Sequence, residues 1–157
     1  MEAKNPTETP LVCVIELEGG LLSKSNFRRG GSGSEWRRQR GFENEVAMAA
    51  RLARPRNWPR GDGEIGVAER WGYAVLIVAN TMIDTANMAK SITDALEGVL
   101  YLNDASVRAC VSIGIRQRDE QRATILVGAL KPGSGWKQAR EMSEYLLARY
   151  AELHGET

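Results

Sequence analysis

The stretch from Asp84 to Val107 reads DTANMAKSITDALEGVLYLNDASV, and its periodicity organises the rest of the chain around it. Asn87, Lys90, Asp94 and Glu97 recur at steps of three and four residues, so they share one side of an α-helix. Met88, Ile92, Ala95 and Val99 share the other, apolar side. Asp84 or Thr85 can serve as the N-cap, and Gly98 suits the helix end because a residue without Cβ takes the left-handed turn at little cost. A lone lysine among Asp84, Asp94 and Asp104 suits divalent-metal phosphodiester chemistry, since hard cations take carboxylate oxygens. The plainer reading of Lys90 and Asp94 is an exposed helical pair, worth roughly 0.2–0.5 kcal/mol.

Working outward, Trp71 to Ala79 precedes the helix as a near-continuous apolar run, which predicts a strand covered on both faces. After the helix, Val107 to Ile115 alternates. Val107, Ala109, Val111, Ile113 and Ile115 lie on one face, and Arg108, Cys110, Ser112 and Gly114 on the other, as in a half-buried strand. The polar turn from Arg116 to Gln121 leads to a further strand over Ala123 to Leu130, and this short connection predicts an antiparallel hairpin. Upstream, Leu11 to Leu17 reads as a first strand and Gly19 to Gly33 as a mobile loop. Phe42, Val46, Ala49, Ala50 and Ala53 give helical spacing over Glu35 to Arg54. Pro55 to Gly66 is rich in Pro and Gly and predicts an exposed loop. Trp136 to His154 returns to helical periodicity, predicting a terminal helix packed on the domain or on a partner subunit. Residues 1–10 read as a flexible tail and 11–157 as a single domain.

At 157 residues and 43% hydrophobic content the chain can bury a sizeable core. No apolar run approaches the roughly 18–20 residues that span a bilayer, and Met1 to Pro10 is polar, so no membrane association and a cytoplasmic location are expected. Cys13 and Cys110 sit in apolar runs without a CxxC or a nearby histidine. That argues for buried, reduced thiols and against zinc or a disulfide framework. Trp36, Trp58, Trp71 and Trp136 are read as core or rim residues, and His154, near a helix end expected to fray, as uninvolved in catalysis.

The net charge of +1 hides an uneven distribution. Between Leu21 and Arg60 ten Lys or Arg residues face three acids, Glu35, Glu43 and Glu45. Within that segment Lys24, Arg28, Arg29, Arg37, Arg38 and Arg40 interleave with Phe27, Trp36 and glycines, a composition suited to settling on a phosphate backbone. Arg37, Arg38 and Arg40 fall at or just before a helix start. Cations there oppose the helix dipole, so ligand contact explains their placement better than stabilisation.

The motif resembles that of the RusA-type Holliday junction resolvases. Their pattern runs roughly Asp-x-Asp-Asn-(x)2-Lys-(x)3-Asp-x-Leu-x-Gly, then a short loop, an Asp-Asp or similar pair and a hydrophobic strand. Asp84, Asn87, Lys90, Asp94, Leu96, Gly98, Asp104 and Val107 fall on it in order. Asn103 replaces the first acid of the pair, and Ala86 replaces the second aspartate of Asp-x-Asp. The resemblance implies an α+β fold: a small mixed sheet of about four strands with two or three helices. It further implies a Mg²⁺-dependent endonuclease, with Mn²⁺ as a substitute, making paired nicks in four-way branched DNA as a homodimer. By the same resemblance Asp84 and Asp104 are metal ligands, Lys90 offsets charge on the phosphate, and Asn87 and Asp94 position their neighbours.

For Asp84 and Asp104 to share an ion they must converge, and a helix of about 16 Å followed by a loop reaching about 23–25 Å permits it. Ala86 removes one hard ligand and one negative charge, so metal affinity and cleavage are expected to fall unless Glu97 or another acid intrudes. Two other readings stay open: a catalytically silent junction-binding protein, and a different metal-dependent phosphoesterase.

Overall fold

The computed structural model describes residues 9–18, 33–59, 71–81, 84–115 and 121–155, with side chains from residue 40 onward in the first helix. The elements are β1 (Val12–Glu18), α1 (Gly33–Ala53), β2 (Gly72–Asn80), α2 (Thr85–Leu96), β3 (Val107–Ile115), β4 (Arg122–Leu130) and α3 (Trp136–Leu153). The four strands form one sheet in the order β1-β4-β2-β3. Pairing is antiparallel for β1 with β4 and for β4 with β2, and parallel for β2 with β3. This is the mixed four-stranded α+β architecture expected from the sequence. The readings of a flexible tail, of a mobile loop before α1, of most of the loop ending at Gly66 and of the polar turn before β4 fall on residues 1–8, 19–32, 60–70 and 116–120, which lie outside the described residues.

The predicted β3–β4 hairpin does not form, because β2 lies between the two strands. Two strand spacings amount to about 10 Å, and six residues reach about 20 Å, so a link of that length suffices to pass one strand. Interior placement suits β2, whose residues Gly72 to Ala79 are all buried. One face, with Tyr73, Val75, Ile77 and Ala79, packs with Phe42, Val46 and Ala50 of α1 and Met88, Ile92 and Leu96 of α2. The opposite face, with Ala74, Leu76 and Val78, packs with Leu126 and with Leu146, Met142 and Tyr145 of α3. A strand apolar on both faces therefore becomes the middle of three layers.

Gly128 fixes how closely α3 lies on the sheet, since a Cβ there would stand 2.4 Å from Met142 Sδ and 2.6 Å from its Cγ. At the edge of the other layer the segment after α1 turns inward. Trp58, read as a core or rim residue although its segment is expected to be an exposed loop, is only 7% exposed. Its Nε1 donates to the Leu100 carbonyl at 2.8 Å, its ring stacks on Tyr73 at 5.8 Å, and Tyr73 Oη donates to the Pro59 carbonyl. Trp71 is partly buried against the same core, whereas Trp136 stands exposed at the start of α3 beneath the Arg140 guanidinium.

Cys13 is buried as expected, and burial pushes its thiol up to about 11, against a smaller lowering by Arg54. Cys110 is exposed, contrary to expectation. It sits on β3, an edge strand whose second face the helices only partly cover. Local desolvation still raises its thiol above the usual range. His154 is not at a fraying end either. It caps α3, stacks on Tyr150 at 4.3 Å and lies 3.3 Å from Thr124 Oγ1, which donates to Glu16.

Candidate functional site

The strand ends define a surface. Register pairs Glu18 with Arg122, Arg122 with Asn80, and Asn80 with Ile115, so the ends of β1, β2 and β3 and the start of β4 line one edge of the sheet. Thr81 N donates to the Ile115 carbonyl there, and the chain then enters α2. Asp84 is the N-cap of α2: its Oδ1 accepts from Ala86 N at 3.0 Å and from Asn87 N at 3.1 Å, resolving the choice between Asp84 and Thr85. A carboxylate there satisfies orphan helix N–H groups and complements the dipole. Gly114 allows the close seat, since a Cβ on it would stand 2.5 Å from Thr85 Oγ1.

Beyond the cap, Ala86 and Asn87 are exposed in the first turn, and Lys90 follows on the solvent side. Lys90 Nζ meets Asp94 Oδ1 at 3.1 Å, the predicted pairing one turn apart, with half of the lysine side chain accessible. Such a pair is weak, about 0.3–0.5 kcal/mol, so the ammonium can exchange its partner for a phosphate at small cost.

Part of the basic segment belongs to the first helix. β1 ends at Glu18 and α1 begins at Gly33. The far end of α1 is pinned elsewhere: Arg54 Nη1 donates to the Val99 carbonyl and Trp58 to that of Leu100, beyond the C-terminus of α2. With 21 residues, α1 spans about 31 Å, so its N-terminal turns, which contain Arg37, Arg38 and Arg40, lie toward the Asp84 end. Arg40 is exposed; Lys24, Arg28 and Arg29 lie outside the described residues.

Asp104 lies at the opposite end. It opens a 3-10 turn, Asp104–Ser106, that runs into Val107, and Val107 pairs with Tyr73 at the beginning of β2. Between Tyr73 and Asn80 the parallel strands advance about 23 Å. The expected convergence of Asp84 and Asp104 within one chain therefore does not occur, because a parallel crossover returns the chain to the end where the first strand began. Among the described residues no group of three His, Cys, Asp or Glu could hold a metal ion. Two ligands of one hard cation stand within about 5 Å of each other, so the donor set of one chain does not fit a shared Asp84–Asp104 ion.

Sequence periodicity does not reveal two features around Asp104. Glu97 Oε1 accepts from Asp104 N at 2.7 Å, and Asn103 Oδ1 accepts from Ala105 N at 2.9 Å, so both side chains hold the turn that presents Asp104. Glu97 is thus committed far from Ala86 and does not replace the missing carboxylate. Tyr101 is buried beside this turn and donates to the Thr93 carbonyl at 2.6 Å. Desolvation, then the charges of Glu97, Cys110, Asp94 and Asp104, raise its phenol far above the ordinary range. The helix end and turn gather the acidic residues Asp94, Glu97 and Asp104.

No helix of the described residues is long and apolar enough to cross a membrane. None of the curated proteins compared with the chain matches it. The family model described as Endodeoxyribonuclease RusA matches residues 25–127, from the basic segment through α2 and β3 into β4. That span covers well over half of the sequence, and the chain belongs to the RusA endodeoxyribonuclease family.

Proposed function

We propose that this protein is a Holliday junction resolvase, a metal-dependent endonuclease for four-way branched DNA, whose cutting is impaired by Ala86. The observation that carries the reading is the Asp84 cap and the exposed Lys90 at one end of the sheet, and the basic segment supplies by its sequence the charge that a phosphate backbone calls for. Phosphates are drawn to that end by counterion release, without base readout. Lys90, on a rigid helix, offsets charge on a phosphate while Asp94 holds its ammonium in place between turnovers. Asn87 positions the first turn beside the cap. Asp84 and Asp104 would serve as carboxylate ligands of Mg²⁺, or of Mn²⁺ in its place, and the bound ion would supply Lewis-acid chemistry for phosphodiester hydrolysis. One chain holds these two carboxylates far apart, so a single chain does not complete the ligand set.

Ala86 stands in the first turn of α2, two residues beyond the Asp84 cap, where an aspartate would project into solvent beside it. Its methyl supplies no ligand, which favours junction binding with slow or no cleavage. Paired cuts in opposed strands call for two equivalent sites, hence a C2 homodimer. The test compares this chain with Ala86→Asp on a synthetic four-way junction, with Mg²⁺ for cleavage and EDTA for binding. Paired nicks from Ala86→Asp, with selective junction binding by both, support the reading. Absence of selective binding by either sinks it.

A further inference from the structure

We propose that Trp136 is a stacking platform for an unpaired base of a DNA strand whose phosphates are met by Arg108, Lys131, Lys137 and Arg140. The binding stands on α3 and the turn before it; only its place at the branch point of a junction rests on the resolvase reading.

Three observations carry it. First, the indole is presented and held. Trp136 is 75% exposed at the start of α3, and the Arg140 guanidinium lies over its ring, 4.8 Å from the centroid. That contact orients the ring from one side and leaves its other face to solvent. An exposed apolar residue is ordinary by itself, and Leu52 on α1 is one. An indole backed by a guanidinium suits a nucleic-acid base, because every base has a π-face to stack and the cation adds to the stack.

Second, the charge around the ring has one sign. From Ala123 to Arg140 the chain carries Lys131, Lys137 and Arg140 and no acid, and the first turn of α3 is without one. Cations in that turn oppose the helix dipole, so helix stability does not account for them. Lys137 and Arg140 reach Glu141 and Glu144 at 4.0 and 3.9 Å, with all four side chains more than half exposed. Pairs of that kind are weak and give way to a phosphate.

Third, the fold adds Arg108 and an open turn. Leu130 pairs with Gly72 and Val107 with Tyr73, so the turn after β4 and the turn before β3 lie at the same end of the sheet, the one that carries Asp104. Arg108 leans over Gly72, where a Cβ would stand 3.0 Å from its Cγ, and Gly72 adjoins the end of β4 from which Lys131 follows. Ser134 N donates to the Lys131 carbonyl at 3.1 Å, closing a tight turn in which Gly133 has a φ of +86° and would meet no atom within 4 Å of an added Cβ. A strand backbone can approach there, three residues before the indole. The surface also lies past residue 127, where the match to the RusA family model ends, so the family pattern does not supply it.

A single DNA strand brings both things this surface calls for, a charge at each phosphate and a flat ring beside it. In a duplex those rings are covered by their neighbours. The occupant is therefore a strand whose bases have come apart, as where the arms of a junction meet.

The test uses the full chain in EDTA with a labelled oligothymidine of about twelve nucleotides, a length within the span of one such surface. Binding is read by fluorescence anisotropy. Trp136→Ala is expected to weaken it roughly five- to hundredfold and Trp136→Phe to weaken it less, since a smaller ring still stacks. Leu52→Ala, at the more exposed apolar site on α1, is expected to change nothing. With 5-iodouracil in the strand, irradiation is expected to cross-link it to Trp136, read by mass spectrometry of the digested protein. Parent affinity in Trp136→Ala, cross-links confined to other residues, or no strand binding by the parent each overturn the proposal. Cross-linking uses the unaltered chain, so it decides the matter even where a variant fails to fold. Strand binding through Trp136 without preference for a four-way junction leaves the platform and sinks the resolvase reading; junction-selective binding without strand binding does the reverse.

Discussion

Replacing Gly128 with alanine probes the contact that seats α3 on the sheet. The new Cβ would stand 2.4 Å from Met142 Sδ, 2.6 Å from Cγ and 3.2 Å from Cε. An unstrained carbon contact needs about 3.5 Å, so the thioether must repack or α3 must lift by roughly 1 Å. Overpacking of this kind costs about 1–3 kcal/mol. For a chain of this length each kcal/mol lowers Tm by roughly 2–4 °C, so a loss of about 4–8 °C is expected for a 2 kcal/mol penalty. Shortening the obstructing side chain should relieve it: Met142→Ala alone destabilises through poorer packing, but in the double variant the alanine at 128 no longer meets a neighbour. The two effects then fail to add, with a coupling of about 1 kcal/mol or more in the favourable direction. Urea denaturation of the four proteins measures all of these effects. A Gly128→Ala protein as stable as the parent, or strict additivity with Met142→Ala, would refute the placement of α3 over β4.

Other expectations test the second layer, the ionisation of the core and the basic segment. Trp58→Phe keeps the ring against Tyr73 but leaves the buried Leu100 carbonyl without its donor, costing about 1–3 kcal/mol in urea denaturation; a change below about 0.5 kcal/mol would contradict the inward turn of this segment. The Cys13 thiol is raised by burial to about 11, so the folded state holds its proton after the unfolded chain has released it. Its contribution to stability is therefore complete below the ordinary thiol pKa and is lost as pH rises toward 11, a loss that Cys13→Ala should abolish in alkaline unfolding curves. Arg37, Arg38 and Arg40 changed together to glutamine should weaken junction binding and reduce the slope of log K against log salt by up to about 2.7, at roughly 0.9 for each phosphate no longer neutralised. An unchanged slope would move the DNA path away from the α1 N-terminus.

What the sequence disclosed follows the range of the interactions involved. Periodicity located α2, the double-sided β2 and the alternation of β3, because each is a local pattern imposed by one or two faces of burial. The cap at Asp84, the turn at Gly98 with its φ of +81° and the Lys90–Asp94 pair were legible for the same reason. Strand neighbours were not. A short link between β3 and β4 is compatible with a hairpin or with a step over one strand, and only the pairing capacity of β2 on both edges decides between them.

Asp84 and Asp104 stand apart for a reason of direction, to which chain reach is blind. A helix and loop long enough to return the chain to Asp84 are also long enough to carry it to the beginning of β2. A strand, a twelve-residue helix and a second strand form a crossover unit, which ordinarily makes the two strands parallel and puts the second start beside the first start. For residues 72–115 that rule alone separates the two aspartates.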